Sequence, residues 1–159
     1  MRKFKVMVLT LLLISTCSTL VIANDIQVEK LFAVDYKIIT SIDQIPANLK
    51  KGVEEFIQTF LDMANPQQEF QEDDVIQGPV TPTRRLIFAG VSDQYSFIYY
   101  AHGGFVRNDC LIFVENSKTS SKVVFSGIFF KGPAHSIMEL KGFLGEDWFK
   151  KTTIQSGNF

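Results

Sequence analysis

The sequence has 159 residues, 16 basic against 17 acidic side chains, 46% hydrophobic residues and 15 phenylalanines. Such a chain makes a single domain whose aromatic content supplies a core without disulfide staples. Its near-neutral charge excludes the basic footprint of a nucleic-acid binder and of a protein that adheres to anionic membranes by charge.

The first residues carry an address. Met1-Arg2-Lys3-Phe4-Lys5 gathers three cations, Val6 to Ile14 is apolar apart from Thr10, and Val21-Ile22-Ala23 precedes Asn24. A basic start, a short apolar run and small side chains at a cleavage point define a secretory signal, so residues 1–23 are expected to be removed on export. Ile14-Ser15-Thr16-Cys17 also has the form of a lipobox, in which Cys17 would carry lipid and hold the chain at a membrane. As an uncleaved anchor the segment fits less well: Val6 to Ala23 sits near the lower length limit for a span and is interrupted by polar residues 15–19. Cleavage leaves residues 24–159 as the expected single domain, periplasmic or secreted, with 13 basic against 17 acidic residues and a net charge of −4. Only Cys110 then remains. A lone thiol in an apolar run, Cys110-Leu111-Ile112-Phe113-Val114, is expected to be buried.

In chain order, Phe32, Val34, Tyr36 and Ile38 alternate with period two and predict a first strand. Pro46 suits a helix first turn, and Leu49, Val53, Phe56, Ile57, Phe60, Leu61 and Ala64 then trace one face of a helix over 47–64. Asn65-Pro66 is expected to stop it. Residues 65–83 form an acidic, proline-containing connector, with Glu72, Asp73 or Asp74 as possible partners for Arg84-Arg85. Four strands are predicted beyond it: Leu86–Val91, Tyr95–Ala101, Cys110–Val114 and Lys122–Phe130. Their short connections predict an antiparallel meander. Cys110, Ile112 and Val114 should face one way and Leu111 and Phe113 the other. Ile137, Leu140, Phe143 and Leu144 predict a second, shorter helix over 134–144.

The fold class expected is therefore α+β: an N-terminal strand and a long amphipathic helix packed on a meander of four to five strands, with a short C-terminal helix. In element order alone this resembles cystatin-like rolls. One sheet face should take the long helix. The other needs the C-terminal segment or a second chain, so a homodimer is a candidate state.

The sequence offers few chemical sites. His102, His135, Cys110 and Asp109 include zinc-ligand types, but no two are spaced as a ligand pair, so neither metal nor cofactor is expected. Gly103-Gly104 opens no helix and lacks the lysine of a phosphate cradle. Asp93 and Asp109 sit where a turn favours aspartate. The string Tyr99-Tyr100-Ala101-His102-Gly103-Gly104 is the leading candidate binding surface: tyrosines and a histidine on a sheet rim, beside glycines that permit close backbone approach. These features point to an exported, non-enzymatic binding protein acting through a protein partner. Two alternatives are a small-ligand-binding roll, and a hydrolase using Cys110 with His102 or His135.

Overall fold

The computed structural model describes residues 28–59, 61–73, 81–117, 121–130, 132–144 and 149–151. The expected signal and Cys17 lie outside them. The chain divides into two units, Met1–Ala33 and Val34–Phe159. Of the first, residues 28–32 are helical, so the alternation from Phe32 does not mark a strand there. Strand β1 is only Lys37–Ile39, with Ile39 buried and Ile38 in solvent. Burial at alternate positions requires a face to rest on, and this edge strand gives its core face a single residue.

Helix α1 (Ala47–Ile57) begins beside Pro46, whose carbonyl accepts from Lys50 N–H at 3.0 Å. Leu49, Val53, Phe56 and Ile57 line its buried face. It ends at Ile57 rather than Ala64, because Gln58 turns left-handed (φ 56°, ψ 29°). A non-glycine residue there costs about 1 kcal/mol. The chain that follows gains a different set of bonds: Leu61 N–H donates to Glu54 Oε1 at 3.0 Å, Ala64 N–H to the Arg84 carbonyl at 2.9 Å, and Leu86 N–H to the Ala64 carbonyl at 3.0 Å. Leu61, Met63 and Ala64 are buried all the same. Their helical spacing is thus met by extended chain lying beside the sheet.

The sheet is open and antiparallel, its strands in chain order: β1, β2 (Arg84–Val91), β3 (Tyr95–His102), β4 (Asn108–Asn116), β5 (Ser121–Phe129) and a three-residue β6 (Phe149–Lys151). The predicted meander is present, each strand longer than predicted or shifted by a residue, and β6 is additional. The outer edge of β2 is doubly covered, by β1 opposite Ala89–Val91 and by Ala64 opposite Arg85. Covered edges resist pairing with other chains.

Both faces of the central strands are buried. On one, Leu86, Ile98, Tyr100, Cys110, Ile112 and Val114 meet the apolar face of α1, as the alternation in β4 predicted. On the other, aromatic rings run across the strands: Phe88–Phe97 at 5.8 Å, Phe97–Phe113 at 5.2 Å and Phe113–Phe125 at 6.0 Å between centroids. Pairs of this kind each add about 0.5–1.5 kcal/mol beyond their area. Helix α2 (Ile137–Phe143) sets Phe143 against Phe129 at 6.1 Å. Ser136 caps it by accepting from Glu139 N–H at 3.1 Å, while Glu139 Oε2 accepts from His135 N–H at 2.8 Å. On this second face Phe97, Tyr99, Phe113, Phe125 and Phe129 are buried.

Helix and sheet are in close contact at Gly52, where an added Cβ would lie 2.8 Å from Ser121 Cβ. Neither atom sits on a flexible side chain that could swing aside. Gly52→Ala should therefore lower the melting temperature by roughly 2–6 °C, overpacking of about 1–3 kcal/mol outweighing a helix-propensity gain of about 1 kcal/mol. Thermal unfolding followed by circular dichroism checks the sign; a rise would mean the contact is looser than described.

Candidate functional site

The candidate string divides between the core and the surface. Tyr99 and Tyr100 are fully buried, on opposite faces of β3, which corrects the expectation of a tyrosine-bearing contact surface. The cause is position in the sheet: β3 has a strand on either side and a packed layer on either face. Tyr100 lies across from Leu86 and Cys110 on the helix side. Tyr99 lies among the rings, where its hydroxyl accepts from Ala134 N–H at 3.0 Å and donates to Asp109 Oδ2 at 3.4 Å. Only at His102, half-buried at the end of β3, does the string reach the rim.

Beyond His102 the β3–β4 loop is held by the connector. Gly103 N–H donates to the Thr83 carbonyl at 2.8 Å, Gly104 N–H to the Glu72 carbonyl at 3.1 Å, and Gln71 N–H to the Pro82 carbonyl at 2.9 Å. Gly103 is buried so closely against this strap that an added Cβ would fall 1.8 Å from the Gln71 carbonyl oxygen. Gly104 has φ 137°, a conformation reserved for glycine. The predicted close approach at these glycines is present, and the group approached is the protein's own chain.

Side chains extend the brace. Glu72 Oε1 lies 3.3 Å from Arg107 Nη1 and 3.8 Å from Arg85 Nη2. The Arg85 guanidinium sits 4.4 Å above the Phe70 ring and that of Arg107 5.9 Å from it. Phe70 is in turn buried with Ala64 and Ala101. The expected pairing of the connector with Arg84-Arg85 is thus made by Arg85 with Glu72. Half-exposed ion pairs contribute no more than about 1 kcal/mol each, so they orient the loop while the backbone bonds and Phe70 hold it.

At the top of this braced loop stand Phe105, 94% exposed, and Val106, 58% exposed. Sequence reasoning passed over both. The signal was present: two large apolar residues follow Gly103-Gly104 where a hairpin loop ordinarily carries polar ones.

Below the loop the two faces of the sheet hold different buried chemistry. On the helix side Arg84 is 8% exposed, beside Tyr100, His102 and Cys110. Burial, and secondarily the Arg84 charge, lowers the His102 pKa, so its imidazole is neutral at pH 7. Burial pushes the Cys110 thiol up to about 12, and its Sγ lies 3.2 Å from Asn108 Oδ1. On the opposite face Asp109 is not the turn residue expected but a β4 residue only 2% exposed. Burial raises its carboxyl pKa, outweighing Arg107, the Tyr99 hydrogen bond and Arg85, and Oδ1 has no hydrogen-bond partner among the described residues.

Elsewhere, a cleft of about 270 Å³ beside α1 is lined by Ile42, Ile45, Leu61 and Met63, with Lys50, Asp43, Glu54 and Asp62. Among the described residues no three His, Cys, Asp or Glu side chains group as a metal site, and no helix is long and apolar enough to cross a membrane.

Comparison with protein-family models, curated proteins and solved structures finds no match. The resemblance in element order to cystatin-like rolls therefore carries no functional weight, and the reading rests on the site alone.

Asp109 gives a direct test of the buried electrostatics. Its folded pKa lies above the unfolded value, so ionisation costs stability above the folded pKa, and the cost fades as pH falls toward the unfolded value near about 3.9. Asp109→Asn keeps an acceptor for Tyr99 and removes the charge. It should raise the melting temperature at pH 7 by roughly 2–4 °C, about 1 kcal/mol, with the gain vanishing in acid. Melts across this pH range check it, and a loss of stability at pH 7 would contradict it.

Proposed function

We propose that this chain is a small exported, non-enzymatic binding or accessory protein of the cell envelope, of inhibitor, immunity or assembly type. It acts through a protein partner gripped by the β3–β4 loop. The observation that carries the reading is the 94% exposure of Phe105 on a loop whose Gly103 and Gly104 amides are bonded to the connector. Burying a phenylalanine and a valine in a partner's pocket returns roughly 3–5 kcal/mol. A braced loop loses little further freedom on binding, so more of that gain is kept as affinity. Arg107, next to the apolar tip in the chain, supplies the polar rim that contact surfaces of this kind use. His102, Gly103 and Gly104 remain part of the surface, as its root rather than its tip.

The alternative of a cysteine hydrolase fits the geometry poorly. A thiol with a pKa near 12 holds almost no thiolate at neutral pH, and Cys110 lies 1% exposed.

A photo-crosslinking amino acid in place of Phe105, expressed in the native host, should capture one predominant protein. Against that partner, Phe105→Ser should weaken binding by roughly 30-fold or more, about 2 kcal/mol, while leaving the melting temperature unchanged. Undiminished binding by a folded Phe105→Ser protein would remove the loop from the contact.

A further inference from the structure

The helix-side end of the sheet holds a group of hydrogen-bond donors around a buried guanidinium that has no counter-charge among the described residues. Arg84, His102 and Asn108 are direct cross-strand partners on β2, β3 and β4, and Tyr100 and Cys110 form the next row inward. Arg84 is more than nine-tenths buried, and its Nε has no hydrogen-bond partner among the described residues. The hydroxyl of Tyr100, fully buried, lies beside the Arg84 and Cys110 side chains without a well-aligned hydrogen bond to either. Among the described residues no carboxylate lies within ion-pair distance of Arg84, since Glu72 is taken by Arg85 and Arg107. Asp109 points to the opposite face, toward Tyr99. A buried guanidinium without a counter-charge is strongly unfavourable, and so is a buried hydroxyl without a partner.

The neighbours are all of one kind. A neutral imidazole keeps one N–H to donate, and the Asn108 carboxamide offers a second N–H beside the one aimed at the Val106 carbonyl, 3.4 Å away. The Cys110 thiol gives its hydrogen to Asn108 Oδ1. A cation would be repelled, and an apolar group would leave Arg84 Nε unmet. An oxyanion, with several lone pairs and a negative charge, satisfies the whole set.

We propose that Arg84, His102 and Asn108, backed by Tyr100, form a binding site for a small oxyanion, a carboxylate or phosphate group. The fork of Arg84 takes two of its oxygens, and His102 and Asn108 close the rim. The site adjoins the root of the β3–β4 loop at His102 without including the Phe105 tip, and it does not depend on the partner reading.

The test uses the mature protein and two probes, inorganic phosphate and acetate, each compared with chloride at equal ionic strength. At saturation one of them should raise the melting temperature by roughly 3–8 °C, with one-to-one stoichiometry by calorimetry. A response to phosphate assigns a phosphate group and a response to acetate a carboxylate. Arg84→Gln should abolish the response. Should that variant fail to fold, His102→Gln, altered at a half-exposed position, should weaken binding about fivefold or more, and Phe105→Ser should leave it intact. No shift beyond chloride with either probe, or a full response in Arg84→Gln or His102→Gln, overturns the proposal.

Discussion

Everything distinctive in this molecule follows from the burial of β3 and β4 on both faces. A central strand packed by a helix on one side and by aromatic rings on the other is buried at every interior position, Ser96–Ala101 in β3 and Asp109–Val114 in β4. Tyr99 and Tyr100 accordingly become core residues, each with its hydroxyl in a low-dielectric layer. Polar side chains on these strands are confined to their ends: Ser96, Glu115 and Asn116 at one, His102, Asn108 and Asp109 where they run into the loop. There the pattern leaves buried charges: Arg84 on the helix side, Asp109 on the aromatic side.

The same constraint concentrates the accessible chemistry at the β3–β4 loop, and the connector determines what that loop does. Left to itself, a loop with two glycines would sample many conformations. Here the carbonyls of Thr83 and Glu72 take the two glycine amides, and the strap passes so close to Gly103 that no side chain fits. Glycine at that position therefore serves rigidity. An apolar tip on a fixed support can dock with little loss of entropy, whereas the same residues on a mobile loop would bind weakly and aggregate readily.

Much of the fold was legible in the sequence because its signals were periodic. The meander, the orientation of Cys110, Ile112 and Val114 toward α1, and the short second helix all follow from spacing. The misreadings have local causes. Leu61 and Ala64 continue a helical rhythm, yet the backbone leaves it at Gln58 because the unpaired edge of β2 offers Ala64 two hydrogen bonds. Phe32 and Val34 alternate like a strand with no sheet face to fill. At the site, the string beginning at Tyr99 leads to the β3–β4 loop, but its tyrosines belong to the core, because a single sequence does not reveal which strands lie in the middle of a sheet. Phe105, Val106 and the Phe70–Glu72 strap depend on a contact between segments about 30 residues apart, and no local pattern announces it.

The central claim is that the loop beneath Phe105 is held as firmly as the strands that carry it, and amide hydrogen exchange resolved by residue tests it most directly. The account predicts that the Gly103 and Gly104 amides are protected to a degree comparable with the β3 and β4 amides. It also predicts that Gly103→Ala, which displaces the strap, strips that protection while the strand interiors keep theirs. Exchange of Gly103 and Gly104 at the rate of an unstructured chain in the native protein would contradict it.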